Sequence, residues 1–165
     1  MNLVDMVSVL PFLELRVAVV SALPVSELRG GIPLAFYYGF DPFKAYFISI
    51  IGNLVPVPFL LIFLEKMRKL ALRWGWTSTI YLFFEKRAER RKGVIEKFGY
   101  PGLIFFVAIP LPVTGAWTGS LVSFLLRLKP MRSFFFIAIG VLIAGVVVTA
   151  AVMGVFSIVS LIGVN

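Results

Sequence analysis

The sequence predicts an all-α integral membrane protein made of two inverted repeats. Each repeat is a re-entrant helical hairpin followed by one transmembrane helix, and a basic amphipathic cytoplasmic segment joins them. Three observations lead there. The chain of 165 residues is 60% hydrophobic, whereas a soluble domain is about half apolar. Leu23-Pro24-Val25-Ser26 recurs as Leu111-Pro112-Val113-Thr114, and the two stretches align without a gap at an offset of 88. The basic residues gather in the middle of the chain.

The alignment is carried by residues that fix backbone shape. Gly31 meets Gly119, Phe36 meets Phe124, Pro42 meets Pro130 and Lys44 meets Arg132. Phe47, Ile51, Gly52 and Leu54 then meet Phe135, Ile139, Gly140 and Leu142. A duplicated apolar segment broken by Pro and Gly is a mark of transporter-type folds.

The chain reads as a single membrane domain, 1–165: repeat one over 8–64, the connector over 65–98 and repeat two over 100–162. Asp5 stands where a signal peptide carries Lys or Arg, so the N-terminus does not read as one. Residues 8–39 are too long for one broken helix and too short for two full spans, so they predict a hairpin that enters and leaves on one side. Broken backbone of that kind needs protein or a water-filled cavity around it. Residues 42–64 are long enough to span, since a spanning helix takes about 20 residues. Gly52-Asn53 precede Pro56 and Pro58 there, which predicts a kinked helix with freed carbonyls and Asn53 facing the hairpins. Leu70–Phe84, rich in Trp and Phe between basic flanks, predicts an amphipathic helix in the interface, and Glu85–Lys97 a charged helix on lipid head groups. Residues 100–126 repeat the hairpin. Residues 131–162 span with some tilt, with Gly140, Gly145 and Gly154 as close-packing positions.

Charge gives the repeats their direction. Residues 65–98 hold ten Lys or Arg, and Arg127, Lys129 and Arg132 bring the total to 13 of the 16 in the chain. The positive-inside rule puts both segments in the cytoplasm. The second hairpin then starts inside and the first outside, with both termini outside the plasma membrane. The net charge of +8 is thus read as membrane orientation, with no nucleic-acid partner.

The chain has no Cys and no His. Thiol chemistry and the usual proton shuttle are excluded, no metal or cofactor is expected, and any transported proton must ride on one of eight carboxylates. Ser26-Glu27-Leu28-Arg29-Gly30-Gly31-Ile32-Pro33 puts an acid and a base at the tip of the first hairpin. Intramembrane charges are costly enough that function is their default reading. Gly30 and Gly31 allow close backbone approach, Pro33 is placed to begin the outgoing half-helix, and its positive end with Arg29 favours an anion. Glu27 is the proton acceptor in this reading. The bland alternative is that Glu27 and Arg29 neutralise each other and tie down the turn. In the second motif Gly115 replaces Glu27 and Trp117 replaces Arg29. Thr114, Thr118 and Ser120 offer hydroxyls to a head group, and Trp117 offers a stacking face or an interfacial anchor. Asn53 reads as interhelical glue or as a substrate contact. Glu14 and Arg16 read as interfacial snorkelling residues.

These residues, with Pro110-Leu111-Pro112-Val113-Thr114-Gly115-Ala116-Trp117-Thr118-Gly119, resemble the putative small multidrug export proteins over nearly the whole chain. The resemblance implies export of small toxic compounds. A more distant likeness, carried by the paired hairpins, is to the DedA/VTT superfamily, which implies proton-dependent lipid-phosphate recycling or lipid scrambling. Members of that superfamily carry acidic and Arg residues in both hairpins, where this chain has Trp117 in the second.

The expected function is a membrane transporter, not an enzyme, moving an amphiphilic lipid phosphate or drug-like compound with proton coupling through Glu27. An uncoupled lipid scramblase and a non-transporting scaffold are the alternatives. Membrane lipids, the substrate and a second copy of the chain are the expected partners.

Overall fold

The computed structural model describes residues 12–73, 99–110 and 114–162. The amphipathic segment from Trp74 to Phe98 and the Leu111-Pro112-Val113 triplet lie outside the described residues. The described residues are helical throughout and contain no strand. The helices are α1 Leu13–Ala22, α2 Glu27–Tyr37, α3 Pro42–Leu54, α4 Pro56–Arg73, α5 Tyr100–Ala108, α6 Ala116–Leu125 and α7 Pro130–Ile162. Two runs among them are long and apolar enough to cross a membrane, Pro42–Lys66 and Pro130–Val155. The first is α3 and α4 in succession, interrupted at Val55. Pro56 and Pro58 lack the N–H groups that would bond Gly52 and Leu54, so the interruption falls where the ladder loses two rungs.

Local chemistry sets several of these boundaries. Asp41 caps α3 by accepting from the Lys44 N–H at 3.0 Å, and Pro42 supplies a first residue with preset φ. Gly99, with φ 57°, turns the chain into α5, where Pro101 stands in the first turn.

The chain forms two compact units. One combines the residues through Val55 with those from Val141 onward, and the other runs from Pro56 to Gly140. In the first unit α1 packs on α2 and α3, and α2 also packs on α3. Val17, Ala35 and Ala45 form the core, flanked by Phe36, Phe40 and Ile48. Gly52 is where α3 meets the α1 backbone: a β-carbon there would stand 2.3 Å from the Ala18 carbonyl oxygen. Farther along, Gly145 of α7 packs on Ile50 and Tyr46, and the Tyr46 hydroxyl donates to Leu142 O at 3.1 Å. In the second unit α6 packs against α4 and α5. Gly119 and Gly140 both close on Val107, where a β-carbon would come within 2.7 Å in each case. Tyr100 stacks on Phe136, and its hydroxyl accepts from the Lys129 N–H.

The duplication reaches the hydrogen bonds. After α2, Gly39 N–H donates to Phe36 O and Phe40 N–H to Ala35 O; after α6, Arg127 N–H donates to Phe124 O and Leu128 N–H to Ser123 O. Both pairs make the same Schellman cap, with Gly39 and Arg127 in the left-handed conformation, φ 77° and 55°. The next helix starts alike in both copies, with Ala45 N–H on Asp41 O and Ser133 N–H on Lys129 O. Buried Ala35 and Ala45 of the first copy become Ser123 and Ser133 in the second, and those two serines hydrogen-bond each other.

The surface inverts the usual pattern of a soluble protein. Phe43, Phe47, Ile51, Val55 and Phe59 are exposed at every fourth position, while Ala45, Ser49, Gly52 and Asn53 are buried. Phe135, Leu142, Ile143, Val146 and Val147 continue the exposed apolar surface on α7. Apolar faces of this extent with small and polar residues inside belong to a protein solvated by lipid.

Candidate functional site

The link from α1 to α2 is four residues, Leu23 to Ser26, held from both ends. The Ser26 hydroxyl donates back to Val20 O, near the end of α1. The Glu27 N–H donates to Leu23 O at 3.0 Å, and Gly30 N–H to Ser26 O at 2.9 Å. Two of the N–H groups that open α2 are therefore occupied by the turn itself.

Glu27 begins α2 and is 6% exposed. Its φ is 47°, in the left-handed region. That conformation costs a residue with a β-carbon about 1–2 kcal/mol. The aligned position in the other copy is Gly115, which precedes α6 in extended backbone. The chain thus keeps a buried acid at a backbone position suited to glycine.

Arg29 is half-buried on α2. Residues two apart on a helix do not face each other. Pro33 lies inside α2, not at its start as its sequence position predicts. The helix starts six residues earlier, because the turn bonds of Ser26 and Glu27 nucleate it there. Pro33 then leaves the Arg29 carbonyl without its ladder partner. Gly30 and Gly31 serve packing. A β-carbon on Gly30 would meet Ser26 Cβ at 2.6 Å, and one on Gly31 would meet Ser21 Oγ at 1.7 Å and Ser49 Oγ at 3.2 Å. Asn53, buried on α3, donates from Nδ2 to Ser21 O at 3.1 Å. Ser21 O is one of the carbonyls that the end of α1 leaves open.

Ser26, Glu27, Arg29, Gly30, Gly31 and Asn53 therefore all belong to the first unit. Thr114, Trp117 and Thr118 belong to the second. Thr114 Oγ1 donates to Ile109 O at 2.7 Å and Thr118 Oγ1 to Gly115 O at 3.2 Å. Thr114 ties its turn to the preceding helix, as Ser26 does in the first copy. Trp117 is half-buried on α6, and Ser120 is buried and bonded to Ala116 O. Glu14, outside this group, pairs with Lys44 at 2.8 Å, and Lys44 also lies 4.3 Å from the Phe40 ring centre.

The structure adds two residues that the sequence reading passed over, Ser21 and Ser49, both fully buried. Their signal was present in the repeat: the aligned residues of the second copy are Ile109 and Ile137. Among the described residues no group of three or more acidic, His or Cys side chains is placed to hold a metal.

No curated protein and no solved structure matches the chain. The pattern of one protein family, putative small multi-drug export protein, matches residues 27–147. That match begins at the buried Glu27, takes in the first motif from there on and the whole second motif, and covers well over half of the sequence. With its apolar helices and lipid-facing surface, the chain is a membrane protein that belongs to the putative small multi-drug export protein family.

Proposed function

We propose that this protein exports an amphiphilic substrate across the plasma membrane, with Glu27 as the proton carrier and Arg29, Gly30 and Gly31 beside it at the substrate. One observation carries the reading: a buried carboxylate held in left-handed backbone at the start of a short helix. Strained residues of this kind persist where the surrounding fold imposes them, and they cluster at functional sites. An intramembrane acid adds a second cost that packing alone does not repay. The half-buried Arg29 favours a substrate with an anionic head, such as a lipid phosphate, over a lipophilic cation.

The short helices support the re-entrant reading. α1 and α5 have ten and nine residues, about 15 Å of helix, roughly half of a bilayer core. Both termini are placed outside and residues 65–98 in the cytoplasm by the charge count. Asn53 in the first unit, and Thr114, Trp117 and Thr118 in the second, are each proposed as substrate contacts, and a second copy of the chain as a partner.

Reconstituted vesicles with an imposed pH gradient test the coupling. Substrate should accumulate with the gradient, and Glu27→Gln should abolish accumulation. Movement indifferent to both would replace the coupled transporter with a scramblase. Arg29→Ala should weaken binding of a polyprenyl phosphate at least tenfold while leaving a lipophilic cation unaffected. The opposite pattern would make the cargo cationic.

A further inference from the structure

The first unit contains a polar cluster that neither the helices nor the proton carrier requires. Ser21 is the last residue but one of α1, and Ser49 and Asn53 lie one turn apart on α3; all three are at most 1% exposed. Asn53 Nδ2 holds the Ser21 carbonyl, and the Ser21 hydroxyl donates to Val17 O. Ser49 Oγ and Asn53 Oδ1 have no protein partner. A buried polar atom left unpaired costs about 1–3 kcal/mol, so two in one place call for a ligand.

The repeat shows that this backbone does not need the Ser49 hydroxyl. At its position the second copy has the fully buried Ile137, while the exposed Ile109 stands at that of Ser21. A β-carbon on Gly119 would stand 3.6 Å from Ile137 Cγ1, much as one on Gly31 would stand 3.2 Å from Ser49 Oγ. At that position one copy has an apolar side chain and the other a hydroxyl.

The chemistry of the cluster selects the ligand. Its unpaired atoms are an amide oxygen, which can only accept, and a hydroxyl oxygen. They lie at the C-terminal end of α1, where the helix dipole is negative. The amide oxygen and the dipole favour a cation over an anion, and the hydroxyl can turn its oxygen toward one. Divalent ions require carboxylate ligands or several retained waters, and the three side chains lining the cluster are neutral. We infer that Ser21, Ser49 and Asn53 bind one sodium-sized monovalent cation in the first unit. The site stands whether or not the chain exports anything.

Thermal unfolding of the purified full-length protein in detergent tests it, with sodium chloride against choline chloride and potassium chloride at equal ionic strength. Sodium should raise the Tm saturably, by about 5 °C. In Ser49→Ala the rise should vanish, and in choline this variant should be no less stable than the parent because it removes an unpaired hydroxyl. Direct binding of radiolabelled sodium to the unmutated protein, at about one ion per chain, checks the result without any substitution. Equal Tm values in sodium and choline, or a sodium effect that survives in Ser49→Ala, would overturn the inference. Both outcomes are read without transport, so neither bears on the exporter reading.

Discussion

Glu27 combines two costs that separate substitutions can divide. One is the burial of a carboxylic acid, and the other is a positive φ on a residue with a β-carbon. Glu27→Ala and Glu27→Gly both remove the acid, but only glycine relaxes the backbone. The glycine variant should therefore be more stable than the alanine variant by about 1 kcal/mol, measured by thermal unfolding in detergent. Equal stabilities would mean that the turn gives way without strain. Both variants should be inactive in coupled transport. A stable, inactive Glu27→Gly protein is the outcome expected when a residue is kept for function at the expense of the fold. Arg29 differs in kind, since it occupies ordinary helix and its loss should change affinity more than stability.

At the scale of the element, the loop after each hairpin is the most closely repeated part of the molecule. The same two capping bonds follow α2 and α6, yet the left-handed residue is Gly39 in one and Arg127 in the other. Gly39→Ala should cost about 1 kcal/mol, because a β-carbon is forced into that conformation. Arg127→Gly should relieve the same strain at this cap, set against whatever contacts its side chain makes. Melting curves of the two variants decide it, and a destabilised Arg127→Gly would show that its side chain is worth more than the strain. This loop also shows what the sequence conceals. Pro42 with Pro130 and Gly52 with Gly140 announced the repeat because those residues restrict backbone directly. Gly39 against Arg127 hid an identical turn behind dissimilar residues. Asn53 was legible as a polar residue turned toward the first hairpin, because amides are rare in apolar spans. Ser21 and Ser49 were not, since serine satisfies itself on its own helix as readily as it lines a site. Pro33 misled because proline marks a helix start only when no earlier turn has already nucleated one.

At the scale of the whole molecule, the orientation inferred from 13 of 16 basic residues can be tested cleanly, because the chain has no native cysteine. Cysteines placed at Asn2 and Asn165 should react with a membrane-impermeant maleimide added outside intact cells. One at Thr77 should react only after permeabilisation. Labelling of Thr77→Cys from outside would reverse the topology and with it the direction assigned to each hairpin. The division into two units has a consequence for biogenesis. Pro56 to Gly140 form a unit of their own, while the residues before them are grouped with those from Val141 onward. Tyr46 and Ile50 receive Gly145 and the Leu142 carbonyl only when the last helix arrives. At about 5–20 residues per second, they wait on the order of ten seconds on the ribosome with that flank open. The first unit, although begun first, is thus completed last.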